Sequence, residues 1–142
     1  MWAACTNFVE AGSRTAFEEL QTQLLVSRGS IPVVATFPAF MRPDRFPMVD
    51  RWIANWVVEY LKEYPGEAGG LVPPSESFLR GKRTTLTVPA DWPFYASWTE
   101  WCRAAARILA DCTGSLWRAR DVEMVAFANA RSGLPILPAI KR

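Results

Sequence analysis

In two long segments of this chain apolar side chains recur every three or four residues, the spacing that lines one face of an α-helix and that an alternating strand does not bury. The first segment carries Trp52, Ile53, Trp56, Val57, Tyr60, Leu61 and Tyr64, opposite a polar stripe of Arg51, Asn55, Glu59 and Lys62, and Pro65-Gly66 breaks it. The second carries Phe94, Trp98, Trp101, Ala105, Ile108 and Cys112, with Tyr95, Cys102 and Leu109 alongside. Four of the seven tryptophans lie on these faces, and Trp52, Trp56, Trp98 and Trp101 are expected to be largely buried.

The remaining segments carry helix punctuation and little strand patterning. Thr15-Ala16-Phe17-Glu18 has the form of a capping box, Phe17, Leu20, Leu24 and Leu25 follow at helical spacing, and Gly29 offers a stop, so a helix is expected from about Thr15 to Arg28. Ile31 to Met41 predicts a short helix with Pro32 in its first turn and Pro38 ending or kinking it. Asp50 precedes the helix of the first stripe, and Asp91 and Pro93 mark the start of the second. Asp121 is placed to cap a last helix through Val122, Val125, Ala126 and Asn129, with Gly133 at its end and Pro135 and Pro138 leaving an extended tail. Between Glu67 and Trp92 the pattern is that of a loop, in which only the β-branched run Thr84 to Val88 suits a short strand or hairpin arm. A loop of that length is expected to be functional or mobile. The predicted fold is all-α: a compact bundle of about five or six helices with one long loop, forming a single domain over 1–142.

Composition narrows the chemistry. Half of the 142 residues are apolar, far from the composition of a disordered chain. No apolar run approaches the roughly 20 residues of a membrane span, and Met1-Trp2-Ala3-Ala4-Cys5 lacks the regions of a secretory signal, so a cytoplasmic protein without membrane contact is expected. The chain has no histidine, which excludes Ser-His and Cys-His pairs, an imidazole base and His-containing zinc sites within it. Cys5, Cys102 and Cys112 fall short of a four-thiolate site and lack C-x-x-C spacing; they are expected to be buried free thiols. Neither a metal nor a cofactor is called for.

The net charge of +2 conceals an asymmetry. Residues 1–71 carry six Lys/Arg against eight Asp/Glu, whereas 72–142 carry ten against six. Arg80, Lys82 and Arg83 fall in the predicted loop, Arg103 and Arg107 on the second long helix, and Arg118 and Arg120 just before the last one, next to Asp121. Together they are candidates for a surface that contacts phosphates, with a solvated, self-neutralised face as the alternative.

Phe46-Pro47-Met48-Val49-Asp50, with Pro43-Asp44 before it and a long helix after it, resembles the Phe-Pro-x-x-Asp passage of helix-hairpin-helix DNA glycosylases. In that family the residue at the place of Asp50 supports departure of the base, a task suited to a carboxylate because the sugar gains oxocarbenium charge. Trp117-Arg118-Ala119-Arg120-Asp121-Val122-Glu123-Met124 is similar to a second Arg-Asp motif of uncharacterised bacterial proteins that look like degenerate relatives of this fold. The departures are specific. The expected hairpin reads Gly29-Ser30-Ile31-Pro32-Val33, with one Gly and a proline in place of a Gly-x-Gly phosphate grip, and no lysine lies between Thr15 and Met48 to serve as the amine of a bifunctional enzyme. Three cysteines also exclude the family's four-cysteine iron–sulfur loop.

Asp50 therefore has two readings, catalytic carboxylate or helix cap, and Arg118 or Arg120 paired with Asp50 or Asp121 would pin two helices together. Three functions follow. The first is a noncatalytic helical domain that binds another protein or, weakly and in a salt-dependent way, nucleic acid. The second is a glycosylase-like enzyme acting on a DNA base or nucleoside through Asp50, with Trp92 or Trp98 shaping its pocket. The third is a small-molecule-binding or hydrolytic helical protein built around an apolar cavity.

Overall fold

A computed structural model describes residues 1–24, 30–67 and 69–133. Among them are seven α-helices and no strand, so the fold is all-α. In chain order these are α1 (Trp2–Ala11), α2 (Arg14–Gln23), α3 (Ile31–Met41), α4 (Arg51–Glu63), α5 (Glu76–Leu79), α6 (Val88–Thr113) and α7 (Ala119–Ser132), with a 3₁₀ turn at Pro65–Glu67. The expected helix stop at Gly29 and the extended tail lie outside the described residues.

Helix α1 was not legible from periodicity. It buries the adjacent pairs Ala4-Cys5 and Phe8-Val9, one turn apart, and ends at Gly12, whose left-handed φ of 63° lets its N–H reach the Phe8 carbonyl. Two residues later α2 begins, but the capping box expected at Thr15 and Glu18 is replaced. Ser13 is the N-cap, its Oγ accepting from the Ala16 N–H at 3.3 Å, and Glu18 pairs with Arg14 at 2.8 Å. Helix α3 has the expected bounds, with Pro32 in its first turn; Pro38 sits inside it, and its carbonyl accepts from the Arg42 N–H at 2.8 Å where the helix closes.

The predicted loop is more ordered than its composition suggests. It contains the single turn α5, and α6 starts at Val88, ahead of Asp91 and Pro93. The reason is Asp91: its side chain is fully buried inside the first turns and reaches back to accept from the Thr87 and Ser75 N–H groups, each at 2.9 Å. The run Thr84 to Val88 forms no strand. It makes one antiparallel bridge, Ser30 to Thr87, with the Ile31 N–H donating to the Leu86 carbonyl at 3.1 Å.

The core has two aromatic centres. Trp56, Tyr60, Trp98 and Trp101 stack and cross between α4 and α6, with Trp98 and Trp101 parallel at 5.4 Å; Phe8, Phe17, Phe46, Trp92 and Tyr95 form the second under α1 and α2. Helix α7 packs against both α4 and α6, and Trp56 Nε1–H donates to Asn129 Oδ1 at 2.8 Å. Two expected burials fail. Trp52 is 38 % exposed because it starts its helix at the molecular surface, where Arg51 and Arg131 lie 5.7 and 5.3 Å from its ring. Cys112 is exposed in the last turn of α6, whereas Cys5 and Cys102 are buried, which pushes both thiols up from their ordinary value. No described helix is long and apolar enough to cross a membrane.

Candidate functional site

Residues 42–50 leave α3 and enter α4 without regular structure, so their backbone groups need partners from elsewhere. The Arg42 carbonyl accepts from the Arg45 and Phe46 N–H groups, both at 2.9 Å, which folds the start of the passage into a turn. Phe46 and Val49 are buried. The Met48 carbonyl accepts from Trp98 Nε1–H at 3.0 Å, and the Pro43 carbonyl accepts from the Arg120 N–H at 3.0 Å. Glu123, 4 % exposed, accepts from the Met48 N–H at 3.4 Å and pairs with Arg120. The two sequence motifs, 46–50 and 117–124, thus meet in space through Glu123, with Arg120 bound to Pro43 just ahead of the first.

The meeting differs in detail from the expected ion pairs. Arg118 binds Asp121 within its own helix start, donating from Nε and Nη2 at 2.9 and 2.8 Å. Asp121 is not the N-cap but the third residue of α7; its carboxylate accepts from the Arg118 N–H at 2.9 Å, and its own N–H donates to the Arg118 carbonyl at 3.0 Å. Those bonds hold the Asp121 carboxyl below its usual value and push the Arg118 guanidinium up. Burial pulls the Arg120 guanidinium down, against the pull of Asp121. Neither Arg118 nor Arg120 pairs with Asp50.

Asp50 is the N-cap of α4. Its Oδ1 accepts from the Ile53 N–H at 2.9 Å with an extended backbone, the geometry of a helix cap. Trp98, fully buried, is a core residue held by Met48.

The predicted basic residues fall into groups set apart along α6. From Val88 to Arg103 is about 22 Å along the helix axis at about 1.5 Å per residue, so Arg80, Lys82 and Arg83 sit at one end of α6 and Arg103 and Arg107 toward the other. Arg83 is committed internally: it hydrogen-bonds the side chains of Ser75, Ser77 and Thr87 and pairs with Asp91 at 3.1 Å. Arg80 pairs with Glu76 at 2.9 Å on the surface, and Lys82 is exposed.

Arg103 and Arg107 line a cleft of about 270 Å³ together with Asp44, Arg45, Ala106, Ala110 and Trp117. Arg103, Ala106, Arg107 and Ala110 occupy one face of α6; the alanines leave the floor low and the arginines form its rim. Arg45 arrives from the turn after α3, where its guanidinium lies 5.5 Å from the Phe46 ring. Trp117 lines the cleft from the α6–α7 connection, its Nε1–H donating to Thr113 Oγ1 at 3.2 Å. Asp44 is held by Arg42 through two bonds of 3.0 and 2.8 Å, which keep its carboxyl below the usual value. Asp50 does not line this cleft.

The chain matches no protein-family model, no curated protein and no solved structure. What the site can do therefore rests on its own chemistry. Guanidinium groups around a concave surface suit oxyanions, because each presents a planar fork of N–H donors and stays charged. Among the described residues no three Cys, Asp or Glu side chains come together as a metal site. The sequence placed Arg103 and Arg107 on one helix but did not single out Arg45 or Trp117 as partners. The available signal was the pair of alanines at 106 and 110, which leave room between arginines four residues apart.

Proposed function

We propose that this chain is a noncatalytic helical domain that acts by binding, and that its partner is the phosphate backbone of nucleic acid, held weakly and without reading sequence. The observation that carries the proposal is the convergence of Arg45, Arg103 and Arg107 on one cleft while Asp50, the candidate catalytic carboxylate, serves as a helix cap outside it. Guanidinium contacts to phosphates supply affinity through counterion release and carry no sequence information.

Fluorescence anisotropy with a labelled duplex and a labelled single strand tests it. Dissociation constants of about 1–100 µM are expected near physiological salt, and with three phosphate contacts duplex affinity should fall about 40-fold between 50 and 200 mM salt. Tight binding that survives the higher salt, or a strong preference for a lesion-containing duplex together with base release lost in Asp50→Asn, would replace the proposal by the glycosylase reading.

A further inference from the structure

Charge in the cleft is not evenly neutralised. Asp44 is satisfied by Arg42 in a two-bond pair, and Arg103 by Glu100 at 2.6 Å. Arg45 and Arg107 make no salt bridge among the described residues; the Asp44 carboxylate that lines the cleft lies near Arg45 but is bound by Arg42, so Arg42, Arg45, Arg103 and Arg107 together outnumber Asp44 and Glu100 by two charges. An internal phosphodiester carries a single negative charge, whereas a phosphomonoester carries about −1.5 to −2 near neutral pH. The dianion offsets this surplus more fully than a diester, which the same arginines hold less tightly.

Shape points the same way. At about 270 Å³ the cleft lies just below the range of about 300–1,000 Å³ typical of pockets for larger ligands. It has the scale of one nucleotide. Ala106 and Ala110 let a phosphate approach the α6 surface between the arginines, and the Trp117 ring, fixed through Thr113, offers a face for the adjoining base.

We propose that the cleft of Arg45, Arg103, Arg107 and Trp117 is a phosphomonoester site that seats the terminal phosphate of a nucleic-acid strand. The strand end as its source rests on the nucleic-acid function proposed above; the site's preference for a dianionic phosphate does not. Recognition is by two forks of donors on one terminal group, and where no terminal phosphate is present the same arginines contact backbone diesters more weakly.

The test compares one labelled strand in 5′-phosphorylated, 3′-phosphorylated and unphosphorylated forms, and separately follows the Trp117 indole N–H resonance during titration with inorganic phosphate and with a nucleoside monophosphate. Arg107→Ala, at an exposed position outside the core, is run beside the parent. At least one phosphorylated strand should bind about tenfold or more tightly than the unphosphorylated strand, the preference should vanish in Arg107→Ala, and both small phosphates should shift the Trp117 signal in the parent alone. Strands that bind equally whatever their ends, with no Trp117 shift, would overturn the phosphomonoester site and leave backbone binding standing. Absence of strand binding beside an Arg107-dependent Trp117 shift would overturn the nucleic-acid role and assign the site to a free phosphomonoester. A preference for the phosphorylated strand that persists in Arg107→Ala would place that recognition elsewhere and contradict the inference.

Discussion

The two ends of α6 use arginine in opposite ways. At its N-terminal end Arg83 meets Ser75, Ser77, Thr87 and the fully buried Asp91, so its donors are spent inside the chain and tie the 75–87 segment to the start of the helix. Toward the C-terminal end Arg45 and Arg107 border a cleft without a salt bridge of their own, its lining carboxylate, Asp44, being bound by Arg42. One arrangement fixes the fold, and the other leaves charge available to an outside anion. The difference lies in whether the chain supplies a counter-charge: a buried carboxylate must be paired, whereas an exposed guanidinium remains well solvated without a partner.

Removing the internal counter-charge is the most severe way to break this contrast. Asp91→Ala should cost about 2–4 kcal/mol, because it leaves the Ser75 and Thr87 N–H groups without their acceptor and takes the carboxylate from Arg83. Urea denaturation measures the loss; a change below about 0.5 kcal/mol, the level of an ordinary surface substitution, would show that the node does not hold this end of α6.

A smaller effect is expected at the start of α4. Asp50→Ala should cost about 1 kcal/mol, and Asp50→Asn, which keeps a cap acceptor, should remain near the parent. Equal stability of all three proteins by denaturant titration would remove the cap as the reason for an aspartate there.

Much of the fold was legible because α3, α4 and α6 carry either a proline at the right place or a wide apolar stripe. Helix α1 escaped because its four buried residues come as two adjacent pairs within ten residues, too short a pattern to stand out. Asp91 was legible as a helix-start residue but not as a buried one. Its place inside the helix depends on Ser75 and Arg83, which arrive from a loop whose path local pattern does not encode. Asp121 shows the same limit, since a side chain that receives the N–H of residue 118 closes the turn behind it and no longer caps the turn ahead. The cleft was half legible: Arg103 and Arg107 share a helix face, but Arg45 is 58 residues before Arg103 in the chain and joins it only through tertiary packing.

The same comparison gives the most direct test of the binding account. Duplex affinity is measured across a salt series for the parent, for Arg45→Ala/Arg107→Ala at the cleft and for Arg80→Ala/Lys82→Ala at the opposite end of α6. The account predicts that the cleft pair lowers the slope of log affinity against log salt by about 2, one for each lost phosphate contact, while the loop pair leaves it unchanged. The reverse pattern, with the loop pair lowering the slope and the cleft pair matching the parent, would contradict the claim that the arginine cleft is the binding site.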